Sequence, residues 1–269
     1  MGVDLAWGEG SAARPANETG LCVIDAAGQV LDAGWARGID AVAAWILRAA
    51  GDEGAAVAID APLVVPNATG MRESEKQVGR AYGRWKVSAN ASNQALKWLG
   101  GVTLRDRLEA AGFVVVSGTD DPAPDDRVMF ECYPYTTLVG VAELGYDDER
   151  PRYKRLPRGV APVEARAARA IATDELVHRL QRLESFDPPL VLGSHEVTRQ
   201  LLDEPVPLAG PAHKHREDLI DAAICAWTAA LWHRHGRERV QILGKDERQD
   251  PAGRPPTIVA PARPSQRLP

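Results

Sequence analysis

The order of apolar and polar residues in the first quarter of the chain predicts short strands and one helix. Residues 2–7 form a short apolar run, and residues 20–35 carry two apolar segments around a turn, which predicts a β-hairpin. An alanine-rich segment at 40–51 predicts a helix, and the continuous apolar run at 55–63 predicts a strand buried on both faces. This order favours a mixed sheet in which the first and fourth strands are adjacent and parallel, joined by a right-handed crossover.

The remaining pattern predicts an α/β fold, with a mixed sheet flanked by helices. Residues 66–112 are mainly polar with helical spacing, which predicts a helical insertion after the fourth strand. We expect one domain over 1–243, followed by a C-terminal extension at 244–269 that holds one late strand and a disordered tail. Residues 186–211 favour no element. The other predicted elements are a strand in "GFVVVSG", a strand ending near Glu131, helices from near Tyr135 and over about 162–184, and late strands in "RVQILG" and "PTIVAP".

The stretch "HREDLIDAAICAWTAALWHRHG" at 215–236 predicts an apolar helix with acids near its start. Glu217 and Asp218 fall in the predicted opening turn, where carboxylates complement the helix dipole. Asp221 lies one turn further in, and at about 100° per residue it shares a face with the other two. A carboxylate inside an apolar helix needs a partner from elsewhere in the fold.

Composition and charge narrow the class of protein. The 269 residues are 45% hydrophobic and 26% charged, which is typical of a globular domain, and no apolar run is long enough to cross a membrane. The net charge of −5 excludes nucleic-acid binding by a global positive field, so such a partner requires local basic patches. Three well-separated cysteines and the lack of a signal-like start predict reduced thiols and a cytoplasmic location.

Five acidic residues lie in or beside apolar elements: Asp4, Asp60, Glu131, Asp218 and Asp221. Asp60 ends its predicted strand beside the strand of Asp4, at the carboxyl edge where open α/β sheets bind ligands. The late helix would direct Asp218 and Asp221 toward the same edge. Acids that converge without basic partners match the ligand set of Mg²⁺ or Mn²⁺, and two such ions can activate water and stabilise a leaving oxygen.

Structural roles account for each acid taken alone. Asp218 can complement a helix dipole, Asp60 can form a turn before proline, and Asp4 can be a satisfied strand residue. Only the joint pattern points to a metal site.

Basic and polar residues predict contacts to a nucleic acid, which would be RNA, DNA or a hybrid. A helical stripe with a four-residue period and a basic loop at 150–158 suit a phosphate backbone, and nearby aromatic residues suit unstacked bases. A solvated helix face and an exposed loop are the plain alternatives. The expected substrate contacts are Arg72, Lys76, Arg80, Arg84, Asn93, Gln94, Lys154, Lys214 and His215.

Four motifs resemble a known family. "GVDLAWG" with the hairpin after it, "AIDAP", "ECYP" and "HREDLIDAAICAWTA" are similar to the predicted RNase H-fold nucleases listed as domain of unknown function 429. The similarity covers roughly 2–243 and is weak over 145–210. It implies an RNase H-like fold, and the nuclease role of that family is itself inferred from acidic residues.

The resemblance implies a role for each of the five acids. Asp4 takes the first-strand aspartate position, Asp60 the acid of the neighbouring strand, and Asp218 and Asp221 the positions on the final helix. Glu131 matches the glutamate of an E-x-x-P motif. The first crossover helix lacks the glutamate found in RNase H proper, so Asp60 or Glu131 would have to replace it.

Three functions fit these observations. The first is a metal-dependent nuclease. The second is an ATP-dependent phosphotransferase of the same fold superfamily, in which "GEGS" at 8–11 would bind phosphate, although such enzymes normally repeat the domain and one copy is present here. The third is a non-catalytic module that binds nucleic acid or protein and keeps the acids for structural reasons.

Overall fold

The secondary structure follows the alternation of apolar residues along the strands. The structure is a computed structural model that describes residues 1–8, 10–11, 13–119, 121 and 123–269. The strands are β1 (Gly2–Asp4), β2 (Gly10–Ser11), β3 (Arg14–Pro15), β4 (Glu18–Ile24), β5 (Val30–Arg37), β6 (Ala55–Ile59), β7 (Val114–Val115), β8 (Arg127–Glu131), β9 (Val240–Leu243) and β10 (Ile258–Pro261). The helices are α1 (Ile39–Ala50), α2 (Glu73–Tyr82), α3 (Gly100–Glu109), α4 (Pro134–Gly140), α5 (Pro162–Gln181), α6 (Glu196–Asp203) and α7 (Gly210–His235).

The main sheet has the order β5-β4-β1-β6-β8-β10-β9, with β7 beside β8. β1 is antiparallel to β4 and parallel to β6, which confirms the predicted adjacency of the first and fourth strands. The α/β class with a mixed sheet flanked by helices is therefore confirmed, and it is consistent with an RNase H-like fold. β2 and β3 form a separate two-stranded sheet.

Both faces of the sheet are covered by helices. In β6, Val57 and Ile59 pack with the apolar residues of α1 and α3, whereas Ala58 between them packs toward α7. Successive strand residues point to opposite faces, so one continuous apolar strand serves two cores.

Two glycines allow α7 to lie directly on the strands. A Cβ atom at Gly2 would come within 2.1 Å of the backbone oxygen of Ala222, and one at Gly20 within 2.0 Å of that of Asp218. Any side chain at either position would push the helix away from β1 and β4. This close approach fixes the height of the α7 acids above the strand ends.

The C-terminal extension differs from its prediction. β10 lies between β8 and β9, inside the sheet, and not beyond a domain that ends at residue 243. The predicted disordered tail is ordered: the Gln266 side chain is buried and donates from Nε2 to the Val139 carbonyl at 3.0 Å. The pairing of the two late strands is confirmed, with Ile258 opposite Leu243.

The predicted insertion is only partly helical. Helices cover Glu73–Tyr82 and Gly100–Glu109, and a short 3-10 helix at Gly83–Trp85 followed by an irregular segment joins them. Among the described residues, no helix is long and apolar enough to cross a membrane.

The three cysteines are free, as the prediction of reduced thiols requires, and all three are buried. Cys132 follows β8 and Cys225 lies on α7, with their Sγ atoms 3.4 Å apart. Burial raises the pKa of both thiols and raises the pKa of Cys22 to about 12.

Candidate active-site cleft

The carboxyl ends of two parallel strands bring Asp4 and Asp60 together. Asp4 is the last residue of β1, and Asp60 directly follows β6 with its backbone N–H donating to the Val3 carbonyl at 2.8 Å. Within the described part of the chain, the Asp60 carboxylate has no hydrogen bond and no ion pair. It is an acid at the carboxyl edge of the sheet with no local structural partner.

Helix α7 adds Asp218 and Asp221 to this edge. The helix begins at Gly210 and not near residue 215, so Asp218 and Asp221 lie in its third and fourth turns. The predicted position of Glu217 and Asp218 in an opening turn is therefore wrong, and the helix dipole does not account for them. Asp218 is 3% exposed and Asp221 is fully buried, so their partners must be side chains packed around them.

Tyr153 and Lys154 are the partners of Asp221. The Tyr153 hydroxyl donates to Asp221 Oδ1 at 2.5 Å, and the Lys154 ammonium forms an ion pair with Oδ2. Lys154 was predicted to contact substrate from the basic loop, but its side chain is only 20% exposed and is directed into the acids. Its charge therefore offsets the carboxylates.

Lys214 is a second cation among the acids. Its Nζ lies 2.5 Å from Asp218 Oδ1, 3.0 Å from Glu217 Oε1 and 4.0 Å from Asp4 Oδ2. The expectation that the acids converge without basic partners is therefore wrong. The spacing of Lys214 three and four residues before Glu217 and Asp218 was a visible signal of this contact.

Burial and mutual repulsion raise the pKa values of Asp60 and Asp218. Burial, opposed by Lys154 and reinforced by Asp4 and Asp221, raises the pKa of Asp60 well above its usual value. Burial and the nearby Asp4 raise the pKa of Asp218 to about 8. Burial would lower the pKa of Lys154, but the surrounding carboxylates outweigh it and raise that pKa.

Two further acids respond in the same direction. Burial and the neighbouring Asp221 raise the pKa of Glu217 to about 7. Burial also raises the pKa of Asp221 itself, against the lowering influence of Lys154 and Tyr153. The cluster therefore carries more negative charge than its surroundings stabilise, which is the condition that favours an added cation.

The donor chemistry of the cluster fits Mg²⁺ or Mn²⁺. Asp4, Asp60, Asp218 and Asp221 supply only carboxylate oxygens, which these ions prefer. Two ammonium groups already neutralise part of the cluster. No group of three or more His, Cys, Asp or Glu side chains forms a ready-made metal site in the ranges that the structure describes. An incoming ion would have to displace the lysines from the carboxylates.

Glu131 uses both of its carboxylate oxygens in a buried ion pair and not in metal binding. Arg72 donates from Nη1 to Glu131 Oε2 at 2.7 Å and from Nη2 to Oε1 at 2.6 Å. Arg72 also contacts Glu75 at 2.9 Å and is 1% exposed. Arg72 is thus no member of an exposed substrate-binding stripe, and Glu131 is used to anchor it to the sheet.

The rest of the predicted basic stripe lies outside the cleft. Lys76 and Arg80 are exposed and form ion pairs with Glu73 at 3.5 and 2.7 Å. Arg84 belongs to a short 3-10 helix, with its guanidinium 5.3 Å from the Trp85 ring centroid. These three residues are not among those that line the acidic cleft.

The polar residues predicted to contact substrate have other partners. Asn93 donates from Nδ2 to the Gly70 carbonyl at 3.0 Å, and Gln94 donates from Nε2 to the Val65 carbonyl at 3.2 Å. The first contact lies within the insertion, and the second holds the insertion to the segment after β6. His215 stacks on Trp35 at 3.6 Å and contacts Glu18 Oε2 at 2.6 Å, away from the aspartates.

The predicted phosphate loop at 8–11 is partly described. Gly10 and Ser11 form β2, which pairs with β3, and Glu9 lies outside the described residues.

A cleft of about 330 Å³ lies above Asp4 and Asp60. Its rim is built from the insertion, from the start of α4 and from the basic loop. It includes two arginines that were not among the expected substrate contacts, Arg150 and Arg155. Neither has an acidic partner within 4 Å among the described residues. The basic loop was visible in the sequence, but its pattern could not say which of its cations face the acids.

The fold and this cleft define an α/β protein with a carboxylate-lined site at the carboxyl edge of a mixed sheet. The chain belongs to the family described as Protein of unknown function (DUF429), whose model matches residues 2–248. No curated protein and no solved structure matches the chain. The family suggested by the four motifs is thereby confirmed, whereas its nuclease activity stays a prediction.

Proposed function

We propose that this protein is a metal-dependent nuclease that hydrolyses phosphodiester bonds in the cleft. The observation that carries the proposal is the convergence of four aspartates, from two strand ends and one helix, near a rim in which Arg150 and Arg155 have no acidic partner among the described residues. A phosphodiester needs positive charge on its oxygens and an activated water, and it is repelled by carboxylates alone. Carboxylates that hold divalent cations satisfy these requirements.

Each group has a stated part in the proposal. Asp4, Asp60, Asp218 and Asp221 would hold one or two Mg²⁺ or Mn²⁺ ions, which supply Lewis acidity next to the scissile phosphate. Tyr153 fixes the orientation of Asp221 through its hydrogen bond. Arg150 and Arg155 bind the flanking phosphates. The cytoplasmic location expected from the reduced cysteines stays part of the proposal.

Hydrolysis of labelled oligonucleotides with Mn²⁺ tests the proposal. We expect wild type to cleave them and Asp60→Asn to lose about 100-fold in rate, equivalent to about 2.7 kcal/mol of barrier. Asp52→Asn is the matched control. It is the same substitution at an exposed residue in the turn before β6, at the end of that strand opposite Asp60.

Two results would replace this proposal with the other functions. Cation-dependent turnover of ATP without cleavage of oligonucleotides would favour a phosphotransferase. Nucleic-acid binding that is unchanged in Asp60→Asn and Asp221→Asn, with no hydrolysis in wild type, would favour a non-catalytic binding module.

A further inference from the structure

The cleft is closed on one side by a bridge between the insertion and the basic loop. The backbone N–H of Arg150 donates to the Trp85 carbonyl at 3.1 Å, and its Nε donates to the Lys86 carbonyl at 2.8 Å. The Tyr133 hydroxyl donates to the Ser88 carbonyl at 3.2 Å. Lys86 and Glu149 add an ion pair at 2.7 Å. These contacts make a roof over the acids.

Three of the four aspartates are almost fully buried. Asp4 is 9% exposed, and Asp218 and Asp221 are less exposed still. At about 330 Å³ the cleft is near the lower end of the size range of small-ligand pockets, which is about 300 to 1,000 Å³. A duplex, whose major groove alone is about 12 Å wide, holds its phosphates on the outside of a rigid cylinder and cannot bring one to this floor.

The walls offer the contacts that an unpaired nucleotide uses. Trp7, Tyr133 and Tyr135 line the cleft. The Arg150 guanidinium lies 4.3 Å from the Tyr135 ring centroid, so its plane is held in position while its outer amino groups have no partner among the described residues. Aromatic rings and guanidinium planes stack on unpaired bases, and free cations bind the backbone phosphates.

The cations of the surroundings separate into two groups. Lys76, Arg80, Lys86 and Arg152 form ion pairs with glutamates. Arg155 and the outer nitrogens of Arg150 face the cleft without an acid in the described chain. Only the second group is available to phosphate at no cost in broken ion pairs.

We infer that the cleft accepts one unpaired nucleotide of a single-stranded nucleic acid, with Arg150 and Arg155 on the phosphates that flank it, and that it excludes duplex. This substrate class rests on the proposed function, because a phosphodiester must reach the aspartates. The selectivity itself comes from the roof and the free arginines.

Fluorescence anisotropy of the full chain tests the inference without any cleavage. The probes are short fluorescein-labelled DNA and RNA single strands and the blunt duplexes of the same sequences, in buffer with Ca²⁺ and in EDTA. We expect at least one of the single strands to bind roughly tenfold tighter than its duplex, which equals about 1.4 kcal/mol. Equal or tighter binding of duplex, or no binding of either form in both buffers, overturns the inference.

Arg155→Gln tests the contacts, because Arg155 is exposed and has no role in packing. Loss of one phosphate contact on a single strand should reduce the slope of log K against log salt by about 0.7. Arg150→Gln should weaken single-strand binding about fivefold or more by losing the stacking surface as well. Arg48→Gln, at an exposed arginine in the last turn of α1, is the matched control. An unchanged salt slope in Arg155→Gln contradicts the inference.

Two further arms separate this inference from related outcomes. If a free nucleoside monophosphate competes as strongly as the oligonucleotide, the inferred single-strand ligand is wrong and the cleft binds a free nucleotide. Single-strand binding without hydrolysis in Mn²⁺ would contradict the nuclease proposal but support the preference for single strands over duplex. Equal cleavage of duplex and single strand would keep the nuclease and remove the selectivity.

Discussion

Two ammonium groups lie among the carboxyl groups of Asp4, Asp60, Glu217, Asp218 and Asp221. Lys154 forms an ion pair with Asp221, and Lys214 contacts Asp218, Glu217 and Asp4. Each lysine supplies part of the positive charge that the buried carboxylates require. A divalent cation and a lysine therefore compete for the same oxygens.

Lys154→Met should make the protein depend more strongly on a metal. Without metal, Asp221 would keep only the Tyr153 hydrogen bond, and we expect a loss of about 3 kcal/mol in the free energy of unfolding. Saturating Mn²⁺ should recover part of this loss, and its stabilising effect should exceed that in wild type. Thermal unfolding with and without Mn²⁺ measures both effects. Lys245→Met, at an exposed lysine, is the control; a Mn²⁺ response equal to that of wild type would contradict competition.

The pH dependence of metal-free stability should follow the raised carboxyl pKa values. Burial raises the pKa of Asp218 from 3.8 to about 8 and that of Glu217 from 4.5 to about 7. Because the folded state binds these protons more tightly than the unfolded state, the stabilisation is complete below about pH 4 and is lost as pH rises toward 8. Urea unfolding across this range in EDTA measures the trend. Asp218→Asn should flatten it, and a pH-independent wild type would rule out the shift.

At the scale of elements, Arg72 joins α2 to the end of β8. It precedes the helix, contacts Glu75 in the first turn and makes two bonds to Glu131. Sequence periodicity placed Arg72 on a solvent-facing stripe, because spacing along one helix contains no information about an acid 59 residues away. The true start of α7 was a different case: Pro211 beside Gly210 is a recognised signal for the beginning of a helix.

Arg72→Met should destabilise the fold strongly. It would leave Glu131 and Glu75 buried without their cation, at a cost of about 3–5 kcal/mol. Arg80→Met breaks the exposed pair with Glu73 and should cost less than about 1 kcal/mol. Chemical denaturation of the two variants makes the comparison. Similar small losses in both would show that the buried pair does not anchor α2.

At the scale of the molecule, the sequence predicted the class of fold and the edge of the sheet that holds the acids. Those predictions rested on apolar runs, which respond to burial alone, and on the crossover rule, which is general. The position of β10 between β8 and β9 could not be predicted in this way. Strand order among late elements depends on which edges remain open after the rest of the chain has packed.

The same argument applies to the tail after β10. Gln266 accepts from Gln241 through its carbonyl at 3.0 Å and donates to the Val139 carbonyl at 3.0 Å. Its polarity suggested disorder, whereas its hydrogen bonds are satisfied inside the fold.

Gln266→Ala tests whether the tail is part of the folded unit. Removing its side chain would leave the buried Val139 carbonyl without its donor, and we expect a loss of about 1–3 kcal/mol in the free energy of unfolding. Ser265→Ala, at the exposed neighbouring residue, should stay within about 0.5 kcal/mol of wild type. If Gln266→Ala and wild type were equally stable in urea unfolding, the tail would not contribute to the folded unit, as the sequence had predicted.

The buried cysteines make it possible to measure how often α7 separates from the sheet. Alkylating reagents attack the thiolate, and burial keeps Cys22, Cys132 and Cys225 protonated and covered. Modification must therefore wait until the contact between α7 and the sheet separates. The rate at which Cys225 is labelled, followed by mass spectrometry, therefore reports the rate of that separation. Any ligand that contacts both α7 and the strand ends should lower the labelling rate of Cys225, whether or not a reaction follows.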